Sequence, residues 1–310
     1  MAGGTAMLSL DLEGYLELQH AAGFAFRSQR TLLKSFVAFA EAGGDEQVHT
    51  DRALDWAVLA RLPAQRCLRL QTVRRFALSM RVEDGRYEVP PANAMGRRDN
   101  RRPRPRIYTP GEIGRLLHAA SGLEPRDSIR PVMYTTLFGL LAATGLRISE
   151  ALALGIDDVT EDGLVIRRTK FQKSRLVPVH ETVRRALDGY LQVRGQLATC
   201  DCSFFVSLSG RPPAYTTVNA VFLELARSIG LREGPGQPGH RLHDLRHTFA
   251  VRSLEQCRLD RDAATSHMTA LSTYLGHVHA KDTYWYLEAT PGVMKQIADA
   301  GETLFHDGVT

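Results

Sequence analysis

Two imidazoles, a guanidinium and a phenol brought within reach of one another can attack a phosphodiester without a metal, and the C-terminal part of this chain supplies such a set. His243-Asp244-Leu245-Arg246-His247 is followed by Gly276-His277 and then by Tyr284-Trp285-Tyr286-Leu287. A second set, Gly145-Leu146-Arg147-Ile148-Ser149-Glu150, lies far upstream. A tyrosine hydroxyl has an unperturbed pKa of about 10, so at neutral pH it needs cationic neighbours and a proton acceptor before it can attack. Arg147 and Arg246 can each donate two hydrogen bonds to non-bridging phosphate oxygens and neutralise charge gathering in a pentavalent transition state. His277 can add a third donor. His243, which titrates near neutral pH, is the candidate base for the phenol. Tyr284 and Tyr286 both offer that phenol. No acidic cluster of the kind that holds Mg²⁺ stands in the sequence, so the chemistry is expected to need neither a metal nor a cofactor.

Ala143-Thr144-Gly145-Leu146-Arg147-Ile148-Ser149-Glu150, a lysine-bearing hairpin, His243 to His247, and Leu275-Gly276-His277 with Tyr286 nine positions later stand in one order and spacing. On these motifs the chain resembles the tyrosine recombinases, the phage-integrase type, weakly before Tyr108 and strongly after it. The resemblance implies an N-terminal helical core-binding domain and a catalytic domain. It implies that Arg147, Lys170, His243, Arg246, His277 and Tyr286 are catalytic, with the family spacing favouring Tyr286 over Tyr284. Lys170 matches the family's hairpin lysine, which protonates the departing 5′ oxygen; Lys173 is its rival in the sequence. Glu150 orients Arg147, as the family's acidic residue does at that position, and His247 is a supporting histidine. Attack by Tyr286 gives a 3′-phosphotyrosyl bond and a free 5′ hydroxyl, and because that bond keeps the phosphoester energy, rejoining needs no ATP. The resemblance further implies double-stranded DNA as partner and a homotetramer on two duplexes, with or without related recombinases. The Tyr-Trp-Tyr-Leu ending looks closer to recombinases of bacterial mobile elements than to those resolving chromosome dimers. A type IB topoisomerase would use the same chemistry as a monomer, and a DNA-binding accessory subunit would use the fold without the chemistry.

Composition agrees with a polyanionic partner. The chain has 310 residues, with 39 Lys+Arg against 34 Asp+Glu and a net charge of +5, modestly basic. The four cysteines, Cys67, Cys200, Cys202 and Cys257, match neither a zinc pattern nor a secreted disulfide framework, which points to a reducing, cytoplasmic setting. No apolar run approaches membrane-spanning length, and a partner membrane is not expected.

The elements that must position the chemistry follow from periodicity. Apolar residues from Leu12 to about Met80 recur at helical spacing, giving about four helices; Gly43-Gly44 stops one and Thr50 can cap the next. Residues 1–89 therefore read as a small helical domain, which the resemblance implies binds DNA. Its cations, Arg27, Arg30, Lys34, Arg66, Arg69, Arg74 and Arg75, are singly solvated surface and jointly candidates for phosphate contacts. Residues 90–108 carry Pro90-Pro91, Pro103 and Pro105 with Arg97, Arg98, Arg101, Arg102, Arg104 and Arg106. This basic linker can lie along a duplex or serve as a flexible spacer. The catalytic domain spans 109–289 and opens on a capping box, Thr109-Pro110-Gly111-Glu112. A long apolar helix, roughly Ile129 to Ala143, ends at Gly145. Leu164–Ile166 and Leu176–Val179 read as two strands of a hairpin, and Lys173 and Arg175 beside it are candidate DNA contacts. Helical patterns resume at Thr182–Val193, Thr217–Ile229 and His243–Leu254. The fold class is mainly α with a small antiparallel β-sheet. The tail, 290–310, carries Val293, Met294, Ile297, Leu304 and Phe305, which can pack on its own domain or on a neighbouring subunit.

Overall fold

The computed structural model describes residues 7–24, 26–96, 105–167, 174–197, 199, 201–234, 237, 239–256, 261–276, 283 and 286. Arg97, Arg98, Arg101, Arg102, Arg104, Lys170, Lys173, His277, Tyr284 and the tail lie outside the described residues. The chain divides into two units, Met1–Arg102 and Pro103–Thr310.

In the first unit α1 (Met7–Ala21), α2 (Arg27–Ala42), α3 (Thr50–Val58) and α4 (Pro63–Met80) enclose one apolar core. Leu8, Leu12, Leu33, Phe36, Trp56, Leu70, Val73 and Phe76 are buried in it. Each such side chain contributes about 1.5–3 kcal/mol on leaving water. Phe76 lies between Tyr15, at 5.3 Å, and Tyr87, at 6.2 Å between ring centroids, and the Tyr87 hydroxyl donates to Asp11. Gly43 and Gly44 end α2 as expected, their N–H groups donating to Ala40 and Glu41 carbonyls at 2.9 Å. The start of α3 differs from the sequence reading. His49 holds the N-cap position without a side-chain bond. The cap comes from Glu88, whose Oε2 accepts from Thr50 N at 2.7 Å.

Several cations of this unit hold backbone. Arg66 donates to Ala60 O at 2.8 Å and Arg74 to Pro90 O at 2.6 Å. Arg69 donates to Trp56 O at 3.0 Å with its guanidinium 4.8 Å from the indole centroid, and Lys34 pairs with Glu13 at 2.8 Å. The segment from Tyr87 to Gly96 also packs here, through Arg74 on Pro90, Gln71 on Ala92 O at 2.8 Å and Cys67 on Met95 O at 3.2 Å.

The second unit starts with a strand-like approach that its later helices clamp. Tyr108 is buried; its N–H donates to Thr248 Oγ1 at 2.9 Å, and its carbonyl accepts from Arg252 Nη2 at 2.6 Å. The capping box then opens α5 (Pro110–Ser121), with Glu112 N donating to Thr109 Oγ1 at 3.2 Å and Thr109 N to Glu112 Oε2 at 2.7 Å. α6 (Ile129–Thr144) is the central helix, buried through Ile129, Met133, Leu137, Phe138 and Leu141. It packs on α5, α8 (Glu181–Arg194) and α10 (Asp244–Glu255). A helix apolar all round is what an interior position requires.

α7 (Ile148–Leu152) and a 3₁₀ turn, Ile156–Asp158, lead into an antiparallel sheet of β1 (Val159–Thr160), β2 (Gly163–Ile166) and β3 (Arg175–Val177), in that order. β2 and β3 pair with Leu164 opposite Val177 and Ile166 opposite Arg175, the expected hairpin. α9 (Tyr215–Ser228) covers the core, and α11 (Arg261–Leu275), absent from the sequence reading, follows α10. Among the described residues no helix is long and apolar enough to cross a membrane.

Removing the Glu88 carboxylate leaves the first turn of α3 without its acceptor, so Glu88→Ala should destabilise the chain by about 1 kcal/mol. Urea unfolding followed by circular dichroism checks this; an unchanged midpoint would remove Glu88 as the cap.

Candidate active site

Arg147 is presented by the turn between α6 and α7. Gly145 ends α6 in the left-handed region at φ 61°, and a Cβ there would stand 2.6 Å from Phe249 Cδ1. Only glycine meets both demands. Two residues on, Arg147 turns back on its own helix start. Its backbone N–H donates to Glu150 Oε2 at 2.9 Å and its Nη1 to Glu150 Oε1 at 2.8 Å. The same guanidinium reaches the end of α11, with Nη2 3.3 Å from Gly276 O and Nη1 3.5 Å from Leu275 O. Glu150 thus accepts from both the backbone and the guanidinium of Arg147.

A third residue shares that carboxylate. Arg175, in β3, donates to Glu150 through Nη1 at 3.1 Å and Nη2 at 2.9 Å, and through Nε to Tyr274 O at 2.9 Å. Burial acts to raise the Glu150 pKa, but hydrogen bonds from Arg175 and Arg147 outweigh it and hold the carboxyl below its ordinary range. The sequence reading set Arg175 among the DNA contacts. Its side chain is only 11% exposed and all three of its nitrogens are engaged by protein.

Arg246, on the first turns of α10, closes the group from the other side. It is 2% exposed, donating from Nη1 to Gly145 O at 2.6 Å and from Nη2 to Leu275 O at 2.7 Å. Burial, with the Arg147 charge second, lowers its pKa to about 10. It remains cationic at neutral pH.

The start of α10 is set by Asp244, fully buried, which accepts from Arg241 N at 2.8 Å and Arg241 Nη2 at 2.7 Å. His243 precedes it. His243 presents surface to solvent, yet the protein packed around its ring, and next the Arg246 charge, lower its pKa. His247, one turn on, lies edge-to-face with His243 at 4.6 Å and 5.4 Å from the Tyr286 ring. Burial, then His243, lower the His247 pKa to about 3. Both imidazoles are therefore neutral at pH 7. Tyr286 is 3% exposed and packs with Ala250, Val251, Leu254, Leu271 and Leu275. The Arg246 charge is sensitive to the Tyr286 phenol, whose anion would raise the guanidinium pKa.

The described members of the expected set, Arg147, Glu150, His243, Arg246, His247 and Tyr286, therefore gather around α10 and the end of α11. Arg106 is exposed. Chemically the cluster offers cationic donors aimed at one locus, neutral imidazoles able to take a proton, and a phenol beside them. What the sequence reading missed is the inward turn of Arg175. Its partners lie 25 and 99 positions away, and the one local signal is its place opposite Ile166 in the hairpin.

Comparison with known proteins places this arrangement. The family described as Phage integrase family matches residues 106–292. The chain is 38% identical over 295 residues to integrase/recombinase y4rB of Sinorhizobium fredii, covering 92% of this chain and 94% of that protein. It is 29% identical over 248 residues to tyrosine recombinase XerD of Mycobacterium tuberculosis, covering 78% and 74%. Among solved structures, a lambda integrase tetramer bound to a Holliday junction shares the fold with a TM-score of 0.60 at 16% identity, over 88% of this chain and 78% of that one. With the family matched across the whole of the second unit's site and a relative matched nearly end to end, the chain belongs to the phage integrase family of tyrosine recombinases.

Proposed function

We propose that Tyr286 is the nucleophile with which this site-specific DNA recombinase cuts and rejoins DNA. The observation that carries the reading is the convergence of Arg147 and Arg246 on the backbone around Gly145 and Leu275, with the His243 ring edge-to-face on His247 and the Tyr286 ring tilted against His247 alongside. The scissile phosphate docks on the two guanidinium groups, which neutralise its non-bridging oxygens as the phosphorus becomes pentavalent. The Tyr286 oxygen attacks phosphorus, its proton passes to His243, and the bond from phosphorus to the 5′ oxygen breaks. Lys170 supplies the proton that leaves with the 5′ hydroxyl, and His277 donates to the phosphate. The DNA strand is left joined through its 3′ phosphate to Tyr286, and attack by a 5′ hydroxyl reverses the steps.

His247 supports rather than transfers. With a pKa near 3 it stays neutral across the working range, and its ring packs on both the His243 and the Tyr286 rings. The linker arginines, Arg97 to Arg106, follow the duplex backbone and bind through counterion release. Double-stranded DNA in the cytoplasm is the substrate, and the lambda integrase tetramer on a Holliday junction supports a homotetramer holding two duplexes.

Two outcomes test the chemistry. A pool of nicked duplexes carrying random sequence, incubated with the protein and resolved on a denaturing gel, should give a covalent adduct with the wild-type chain. Tyr286→Phe should bind the same duplexes and give none, a loss of at least about 10³-fold; an adduct of normal yield would refute the assignment. Because His243 must be neutral to accept the proton and its pKa is pushed below 6.5, the rate of adduct formation should hold at pH 7 and fall only on the acid side of that value. His243→Ala should remove this acid limb; a limb that survives the substitution belongs to another group.

A further inference from the structure

We propose that Arg175 is a positioning residue of the strand-cleavage reaction, acting on Arg147 and on the end of α11, and that it makes no contact with DNA. The inference rests on the reading that Arg147 receives the scissile phosphate. Its ground is the hydrogen bonding of one buried guanidinium. Nη1 and Nη2 grip the two oxygens of Glu150 at 3.1 and 2.9 Å, and Nε holds Tyr274 O at 2.9 Å. Glu150 Oε1 accepts at the same time from Arg147 Nη1 at 2.8 Å. Arg175 therefore fixes the carboxylate that fixes the catalytic arginine.

The second reach is to the chain that carries His277. A Cβ on Gly276 would stand 2.6 Å from Arg175 Nη1 and 2.9 Å from its Cζ, so the guanidinium lies flush on that backbone. Gly276 takes φ 65°, the left-handed turn that ends α11. One side chain from the hairpin thus sets both the direction of Arg147 and the point at which the chain leaves α11 toward His277 and Tyr286. A phosphate contact is excluded by occupancy, since a DNA oxygen would have to displace a carboxylate already held by two parallel bonds. Lysine can replace it only in part. A single ammonium has the charge but not the planar fork that spans a carboxylate and a carbonyl together.

Positioning and phosphate contact differ in what they change. A lost phosphate contact lowers the slope of log K against log salt by about 0.9 and leaves cleavage at saturating DNA intact. A lost positioning bond does the opposite, because a misplacement of about 1 Å can cost about 100-fold in rate. The experiment measures both for the full chain and for Arg175→Gln and Arg175→Lys. Salt-dependent binding is read on a random-sequence duplex, and single-turnover adduct formation on the nicked site recovered by sequencing wild-type adducts. We expect unchanged salt slopes in both variants, an adduct rate about 100-fold lower for Arg175→Gln, and partial recovery for Arg175→Lys, which keeps the charge and so preserves folding if the glutamine variant does not. A salt slope reduced by about 0.9, or an adduct rate equal to wild type in the lysine variant, would overturn the proposal. A wild-type chain that forms no adduct on any duplex would instead sink the Tyr286 reading, and the salt slope would still decide whether Arg175 touches DNA.

Discussion

A single carboxylate held between two guanidinium groups is the interaction on which the site depends. Glu150 is 9% exposed and bonded to both Arg147 and Arg175. Unit charges 4 Å apart interact by about 4 kcal/mol at an effective dielectric of 20, and deleting one partner of a buried pair costs about 3–5 kcal/mol because the remaining charge is stranded. Here the stranded charges would be two cations facing each other. The lowered pKa of Glu150 shows that attraction wins over burial. Among the described residues Arg246 donates to two carbonyls rather than to a carboxylate, and burial, with the Arg147 charge second, lowers its pKa. Three guanidinium groups with one carboxylate among them leave an excess of positive charge, which a phosphodiester matches in sign and in hydrogen-bond geometry.

The carbonyls that Arg147 and Arg246 hold are those left unpaired at the end of a helix. The last C=O groups of a helix lack an intrahelical donor and carry the negative end of its dipole. Arginines from the turn after α6 and from α10 supply the missing donors. A phosphate oxygen bearing formal charge accepts more strongly than a peptide carbonyl. On the proposed reading, a docked phosphate would compete with the arginine bonds that hold the end of α11. The Tyr286 phenol, 3% exposed, is kept from water by apolar packing with Leu271 and Leu275 of that helix and with Ala250, Val251 and Leu254 of α10.

Local signals were legible in the sequence and distant ones were not. Thr109 and Glu112 lie three residues apart and close on each other, so their capping box was readable from four letters. Thr50 looked equally suited to cap α3, but its helix start is served by Glu88, 38 positions away, and no local pattern encodes that. β1 has two residues, too few for alternation to register. α11, Arg-Asp-Ala-Ala-Thr-Ser-His-Met-Thr-Ala-Leu-Ser-Thr-Tyr-Leu, is rich in small and hydroxyl side chains, and its apolar stripe is short, Met268, Leu271 and Leu275. The site followed the same rule. Residue types, with the family resemblance deciding between Tyr284 and Tyr286, pointed to Arg147, His243, Arg246 and Tyr286, which the fold brings near one another, whereas an arginine in a lysine-bearing hairpin reads as a surface cation unless its distant carboxylate is known.

The spacing of the arginines is set by backbone rather than by side chains. Gly145 and Gly276 both take left-handed conformations, at φ 61° and 65°, and both lie where a Cβ would collide, one with Phe249 and the other with Arg175. Gly145 lets the chain reverse tightly enough for its carbonyl to meet Arg246 while Arg147, two residues later, meets Glu150. Gly276 ends α11 tightly enough for its carbonyl to meet Arg147 while Tyr274 meets Arg175. A side chain at either position would disturb the backbone carbonyls that the guanidinium groups hold. The glycines therefore belong to the chemistry as much as the charged residues do, because a fork of donors is useful only at the separation of the oxygens it binds.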